Sequence, residues 1–231
     1  ENNYYGKPCG LMDQAAVCLG GLSFMDFENA RPATEKLALA FEDYGYSLVL
    51  VKVGADHTDL THEYAATPAE MQAVAAELGH TRLCEVDPAD FDAAVPALRE
   101  KLGDRAVLRA IHYWYENDLV DRRWAALNDG DIDAFLALTR ASGASSAMYL
   151  QNVTAELGKS QPAMYALGLA EHILNGRGAL RIHGGGFGGT IQAFVPVDMV
   201  DDFMARMDAW LGEGSCRHYA ISESGAYAGW L

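Results

Sequence analysis

Five of the six residues from 184 to 189 are glycine, in the run Arg181-Ile182-His183-Gly184-Gly185-Gly186-Phe187-Gly188-Gly189-Thr190. Neither a helix nor a strand runs on through so many residues that lack a Cβ, because the unfolded chain loses more freedom there on folding than anywhere else. The run is therefore predicted as a turn, and it joins two strand-like stretches, 179–183 and 190–195. Glycine is required where φ is positive or where backbone must approach another group more closely than a Cβ allows. Successive N–H groups in such a turn form a concave nest that can cradle an anion such as phosphate. The plainer alternative is a tight β-turn. No Lys-Ser or Lys-Thr follows, so the run is not a Walker A loop. Thr190 onward continues as a strand instead of a helix, so it is not a dinucleotide-binding fingerprint either.

Elsewhere the pattern alternates. Ser47–Val53 reads as a buried β-branched strand between Gly45 and Gly54, and 22–27 as a shorter one after a helical stretch at 14–20. Thr67-Pro68-Ala69-Glu70 has the form of a capping box with Pro at the first helical position, which predicts a helix over 68–78. Helical spacing continues over 88–102, 105–130, 131–142, 148–157, 162–174 and 197–211, and 216–221 and 226–231 read as strands. Four short strands interleaved with helices predict an α+β domain, a small antiparallel sheet covered by helices.

The net charge is −15. Binding to nucleic acid or to anionic lipid needs clustered Lys and Arg, so both are excluded as partners. Hydrophobic residues make up 50% and charged residues 21%, enough apolar matter for a real core. No apolar run approaches the ~20 residues that span a bilayer, and the first residues lack the basic-then-apolar pattern of a signal peptide, so the expected location is cytoplasmic. Cys9, Cys18, Cys84 and Cys216 have no CxxC spacing and read as reduced structural thiols. Asp198, Asp201, Asp202 and Asp208 read as the solvated face of a helix, with no metal site assigned. The chain opens on Glu1 and enters a turn-rich stretch at once, which is expected of the C-terminal part of something longer.

The segment GALRIHGGGFGGTIQAFVP (178–196) resembles the third motif of the GHMP small-molecule kinases in its galactokinase form, with His183 in the usual Thr place and Thr190 in the usual Cys place. PCGLMDQ (8–14) resembles the galactokinase segment that carries the catalytic aspartate. The resemblance makes Asp13 the catalytic residue, beside the C1 hydroxyl of the sugar, with Gly10 in the same substrate-binding segment. An arginine that pairs with this aspartate in the family has no counterpart here. The residue-level alternative is that Asp13 caps the helix that follows. GADHTDLTHEYAAT (54–67) is similar to the region in which the Tyr of a Glu-Tyr pair reaches the sugar, which points to Tyr64. AVLRAIHYWYENDLVDRRWAALNDGDIDAFLAL (106–138) is similar to a helical stretch written Arg-Ala-x-His, then Glu, then Gly-Asp. SGASSAMYLQN (142–152) sits where the family has a Ser-rich segment. His112, Trp114 and Tyr115 read as packing residues, and His57 and Asp59 as local turn and cap residues.

The resemblance implies a GHMP kinase C-terminal lobe with a ferredoxin-like sheet over 47–231, and a segment, 1–46, that completes the wall between two lobes. It implies transfer of the ATP γ-phosphoryl to the C1 hydroxyl of galactose with Mg²⁺, Gly184, Gly185 and Gly186 serving the nucleotide, and a missing N-terminal lobe as partner. The fragment alone is expected to be inactive. Two other functions fit the same residues: a galactokinase-derived sensor that binds without turnover, and a kinase for another sugar such as an N-acetylhexosamine.

Overall fold

The computed structural model describes residues 4, 10–29, 31–54, 61–154, 158–187 and 189–226. Packing divides the chain into two units, 1–43 with 220–231 and 44–219.

The first unit holds a helix, α1 (Met12–Leu19), and a hairpin of β1 (Leu22–Asp26) and β2 (Ala33–Leu37), paired antiparallel with Leu22 opposite Leu37. The β2 strand carries mostly exposed polar side chains, so no alternation betrays it in the sequence. Residues 220–226 return to this unit. Gly21 N–H donates to Ser222 O, Ala226 N–H donates to Val17 O, and Lys36 Nζ donates to both Leu19 O and Glu223 O. Of the strand expected at 226–231, Ala226 lies outside any strand and the remainder falls outside the described residues.

In the second unit β3 (Tyr46–Lys52) leads into three long helices, α2 (Thr61–Glu77), α3 (Pro88–Leu102) and α4 (Asp104–Asp129). Next come α5 (Ile132–Ser145), α6 (Pro162–Leu174), the hairpin β4 (Ala179–Ile182) and β5 (Thr190–Pro196), α7 (Val200–Leu211) and β6 (Cys216–Tyr219). The sheet is antiparallel in the order β4-β5-β3-β6. With its crossovers this is the ferredoxin-like β-α-β-β-α-β arrangement, the central position of β3 being the consequence of two helical returns. Val49, Val51, Ile191, Ala193 and Val195 project from one face at the two-residue period of a strand and are fully buried against Ala166, Ala170, Phe203 and Met207 of α6 and α7. A second core joins Val74 of α2, Phe91 and Leu98 of α3, and Val107 and Ala110 of α4.

On the other face of the sheet α5 lies against β4, and glycine makes the approach possible. A Cβ on Gly143 would stand 3.0 Å from both Arg181 Cβ and Leu180 O. Phe135 of α5 meets Phe194 of β5 edge-on at 5.2 Å.

Two local expectations fail. Helix α2 begins seven residues before Pro68, which sits inside it. The expected capping pair is occupied otherwise: Thr67 Oγ1 donates back to Glu63 O, and Glu70 is bound to Arg105 and Arg109. Where the spacing predicts a helix over 148–157, the described residues hold one π-helical turn, Ser146–Leu150, that ends at Gln151 in the left-handed conformation, and 155–157 lie outside the described residues.

Candidate functional site

The site is built where β4 hands the chain to β5. His183 N–H donates to Thr190 O at 3.0 Å and closes the strand ladder, and the glycines lie beyond that bond. Gly184, Gly186 and Phe187 all have positive φ, at 63°, 86° and 56°. For Phe187 that conformation is uncommon and must be held in place by its surroundings.

The holding groups are Tyr64 and Asn152. Tyr64 Oη donates to Gly186 O at 2.7 Å, and its ring meets Phe187 edge-on with centroids 5.1 Å apart. Asn152 Nδ2 donates to Gly185 O at 3.2 Å, and Asn152 O accepts the Phe187 N–H. The loop therefore needs glycine for approach as well as for φ. A Cβ on Gly185 would reach to 2.7 Å of the Tyr64 ring, and one on Gly186 to 2.6 Å of Asn152 Nδ2. Gly184 faces open space, and Gly188 lies outside the described residues. Burial raises the Tyr64 pKa, so the hydroxyl stays a proton donor throughout the ordinary pH range.

Both holders are anchored by buried ions. Arg109 of α4 is fully buried. Its Nε donates to Leu150 O at 3.1 Å, and its Nη1 pairs with Glu70 at 2.9 Å. Glu63, the neighbour of Tyr64, lies 3.5 Å from Arg105 and 3.8 Å from Arg109. Burial pulls the Arg109 pKa down while Glu70 opposes it, and the guanidinium keeps its charge. Arg109 thus ties the Glu63-Tyr64 end of α2 to the π turn that presents Asn152.

A second buried cluster fixes β4. Arg181 Nη1 donates to Ser142 Oγ and lies 3.3 Å from Glu116, which also accepts from Ser142 Oγ at 2.6 Å and from Arg123 at 3.1 Å. His112 is buried and hydrogen-bonded to Ser145 at 2.8 Å. Burial lowers its pKa, with Glu116 opposing and Arg181 assisting, so the ring is kept neutral.

Gly10 and Asp13 belong to the first unit. Gly10 has nothing within 4 Å of where a Cβ would stand. Asp13 is exposed in the first turn of α1, whose preceding residue is Leu11, and no side chain caps the helix. The carboxylate is therefore not the cap, although its position suits the positive end of the helix dipole. His57 and Asp59 lie outside the described residues, as does Cys9. Cys216 is a buried free thiol whose pKa burial, with Asp208 beside it, pushes up to about 12. Among the described residues no three His, Cys, Asp or Glu side chains are grouped to hold a metal ion. Of the acidic run, Asp198 pairs with Arg177 and Asp202 with Arg206, while Asp208 accepts the backbone N–H groups of Gly214 and Cys216.

Tyr64, Gly185 and Gly186, singled out separately in the sequence, are thus brought together. The sequence pattern did not single out Asn152, and Arg109 stood there only as the Arg of the Arg-Ala-x-His likeness, with no role assigned. No propensity or spacing marks an asparagine as the clamp of a loop 33 residues downstream.

No family model matches the chain. Galactokinases do. The enzyme of Streptomyces lividans is 34% identical over 209 residues, covering 87% of this chain and 48% of that protein. The galactokinase of Mannheimia succiniciproducens is 29% identical over 202 residues, again 87% of this chain. The chain spans about half the length of the curated relatives it matches. Among solved structures, Lactococcus lactis galactokinase complexed with galactose superposes with a TM-score of 0.74 at 25% identity, over 97% of this chain and 57% of that one. L. major mevalonate kinase in complex with R-mevalonate shares the fold, with a TM-score of 0.56 at 18% identity. In sequence over 87% of its length, and in fold, the chain is similar to a C-terminal portion of galactokinases.

Proposed function

We propose that the chain is the C-terminal half of a sugar kinase that transfers the γ-phosphoryl of ATP to the C1 hydroxyl of galactose. The observation that carries this reading is the union of Tyr64 with the glycine loop across 122 residues, since the two features resemble galactokinase motifs independently. The 1–46 segment then completes the wall between two lobes, 47–231 forms the C-terminal lobe, and an N-terminal lobe supplies the rest of the site in a soluble, cytoplasmic enzyme.

Phosphoryl transfer asks a protein mainly for positioning and charge stabilisation. The loop suits the nucleotide: among the described residues no group accepts a hydrogen bond from the N–H of Gly184, Gly185 or Gly186, and all three remain to meet phosphate oxygens. Asp13 is the group that orients the attacking hydroxyl and accepts its proton, and an exposed carboxylate on a helix is free to do so. Gly10 lets the sugar approach the segment, and Tyr64 presents its ring. Magnesium is commonly held by phosphates with one or two carboxylates, so the described residues, which offer no three-ligand cage, are compatible with a metal that arrives on ATP.

The test is ADP formation by the complete polypeptide with galactose and with an N-acetylhexosamine. Turnover on galactose supports the proposal. Turnover on the hexosamine alone changes the substrate, and galactose binding without ADP makes the protein a sensor.

A further inference from the structure

We propose that Asn152 is the positioning residue of the glycine loop, aiming the Gly186 N–H at a bound anion. The inference rests on the kinase reading above for the identity of that anion, a nucleotide phosphate.

A trans peptide is planar, so its C=O and the next N–H point in opposite directions. Asn152 Nδ2 holds the Gly185 C=O, and this turns the Gly186 N–H away from Asn152. No described residue accepts that N–H. The following peptide is held from both sides: Tyr64 binds the Gly186 C=O and Asn152 O binds the Phe187 N–H. With the Gly186–Phe187 peptide clamped, the Gly185–Gly186 peptide has little room to flip.

The side chain of Asn152 hydrogen-bonds the loop and no other described residue. The residue is 3% exposed, and its Oδ1 is buried without a hydrogen-bond partner. A buried oxygen left unpaired costs free energy that an apolar side chain of similar size would avoid. The one polar bond that justifies an asparagine here is the bond to Gly185 O. Asn152 in turn is held by the π turn, through Gln151 N–H to Ser146 O at 2.9 Å, and by Arg109 on Leu150 O.

Asn152→Leu in the complete polypeptide separates the clamp from simple filling of space, because leucine keeps the volume and drops the donor. The Phe187 N–H keeps its backbone acceptor in this variant, but the loop opens more readily once the Gly185 C=O is released, so its exchange is expected to quicken about tenfold, the scale of that one lost hydrogen bond, while exchange in β5 is unchanged. The Kd for Mg·ADP is expected to rise about tenfold and that for galactose to stay as it was. Unchanged Phe187 exchange would overturn the clamp. Faster exchange with an unchanged Kd for Mg·ADP would overturn the aiming of Gly186 at the anion. Wild-type protein that binds galactose but not Mg·ADP would defeat the kinase reading itself, and with it the anion, whatever the exchange at Phe187.

Discussion

The glycine loop and the Asp13 helix carry the two chief functional candidates, and they are held in opposite ways. The loop is fastened by groups of its own unit: Tyr64, the buried Asn152 and, behind them, the buried Arg109. Helix α1 buries none of its residues, and Leu11, Met12 and Val17 are exposed around Asp13. Shape at the loop is therefore inseparable from the stability of the domain. At Asp13, chemistry can change while the fold stays as it is.

The largest effect should fall on the side that stability ignores. In the complete polypeptide Asp13→Asn is expected to lower kcat about 10²–10⁴-fold, the scale of a lost general base, with an unchanged melting temperature. Normal turnover would leave Asp13 only its favourable place at a helix N-terminus. Next in size is Gly186→Val, which sets a β-branched side chain at φ 86° and drives its Cβ into Asn152. Backbone strain alone costs ~1–3 kcal/mol. At ~2–4 °C per kcal/mol for a chain of this size, melting should fall by several degrees along with activity. Gly10→Ala, with nothing near its Cβ, should leave melting unchanged, and a matching loss there would erase the contrast between the two regions. Tyr64→Phe removes one half-exposed hydrogen bond and should cost about 0.5–1 kcal/mol in chemical denaturation.

The smallest effect is a pH dependence confined to the second unit. His112 has a folded pKa below its ordinary 6.5, so the native state binds fewer protons than the unfolded state. The stability it contributes is complete above pH ~6.5 and is lost as pH falls through the depressed folded value. Melting followed from pH 7.5 down to 5.5 should show a decline that is shallower in His112→Gln. Equal slopes would mean that Glu116 and Arg181, the charges facing the ring, absorb the change.

What the sequence disclosed follows from how local each signal is. The SLVLVKV strand, the helix after Pro88 and the glycine turn are each determined within a few residues, and each forms as its pattern dictates. Pro68 misled because a capping box is also a local signal, and here Arg105 and Arg109 claimed Glu70 from another helix. The π turn and β2 left no periodic trace: one is a single irregular turn, the other a mostly polar, exposed strand. At the site, the glycines and Tyr64 were legible as residue types with a family likeness. Asn152 was not, because its meaning lies wholly in a contact with a loop 33 residues away.

The π turn at Ser146–Leu150 also has a bearing on how this family can vary in length. A π turn holds one residue more than the α-helical turn it replaces. Deleting a single residue there would let α5 run on in regular register and swing every later side chain by about 100° around the helix axis. Asn152 would then face elsewhere, and Gly185 would lose its partner although neither residue had been altered. Insertions and deletions in 146–151 should thus be far rarer among functional relatives than substitutions, and any that occur should be accompanied by change at 185 and 186.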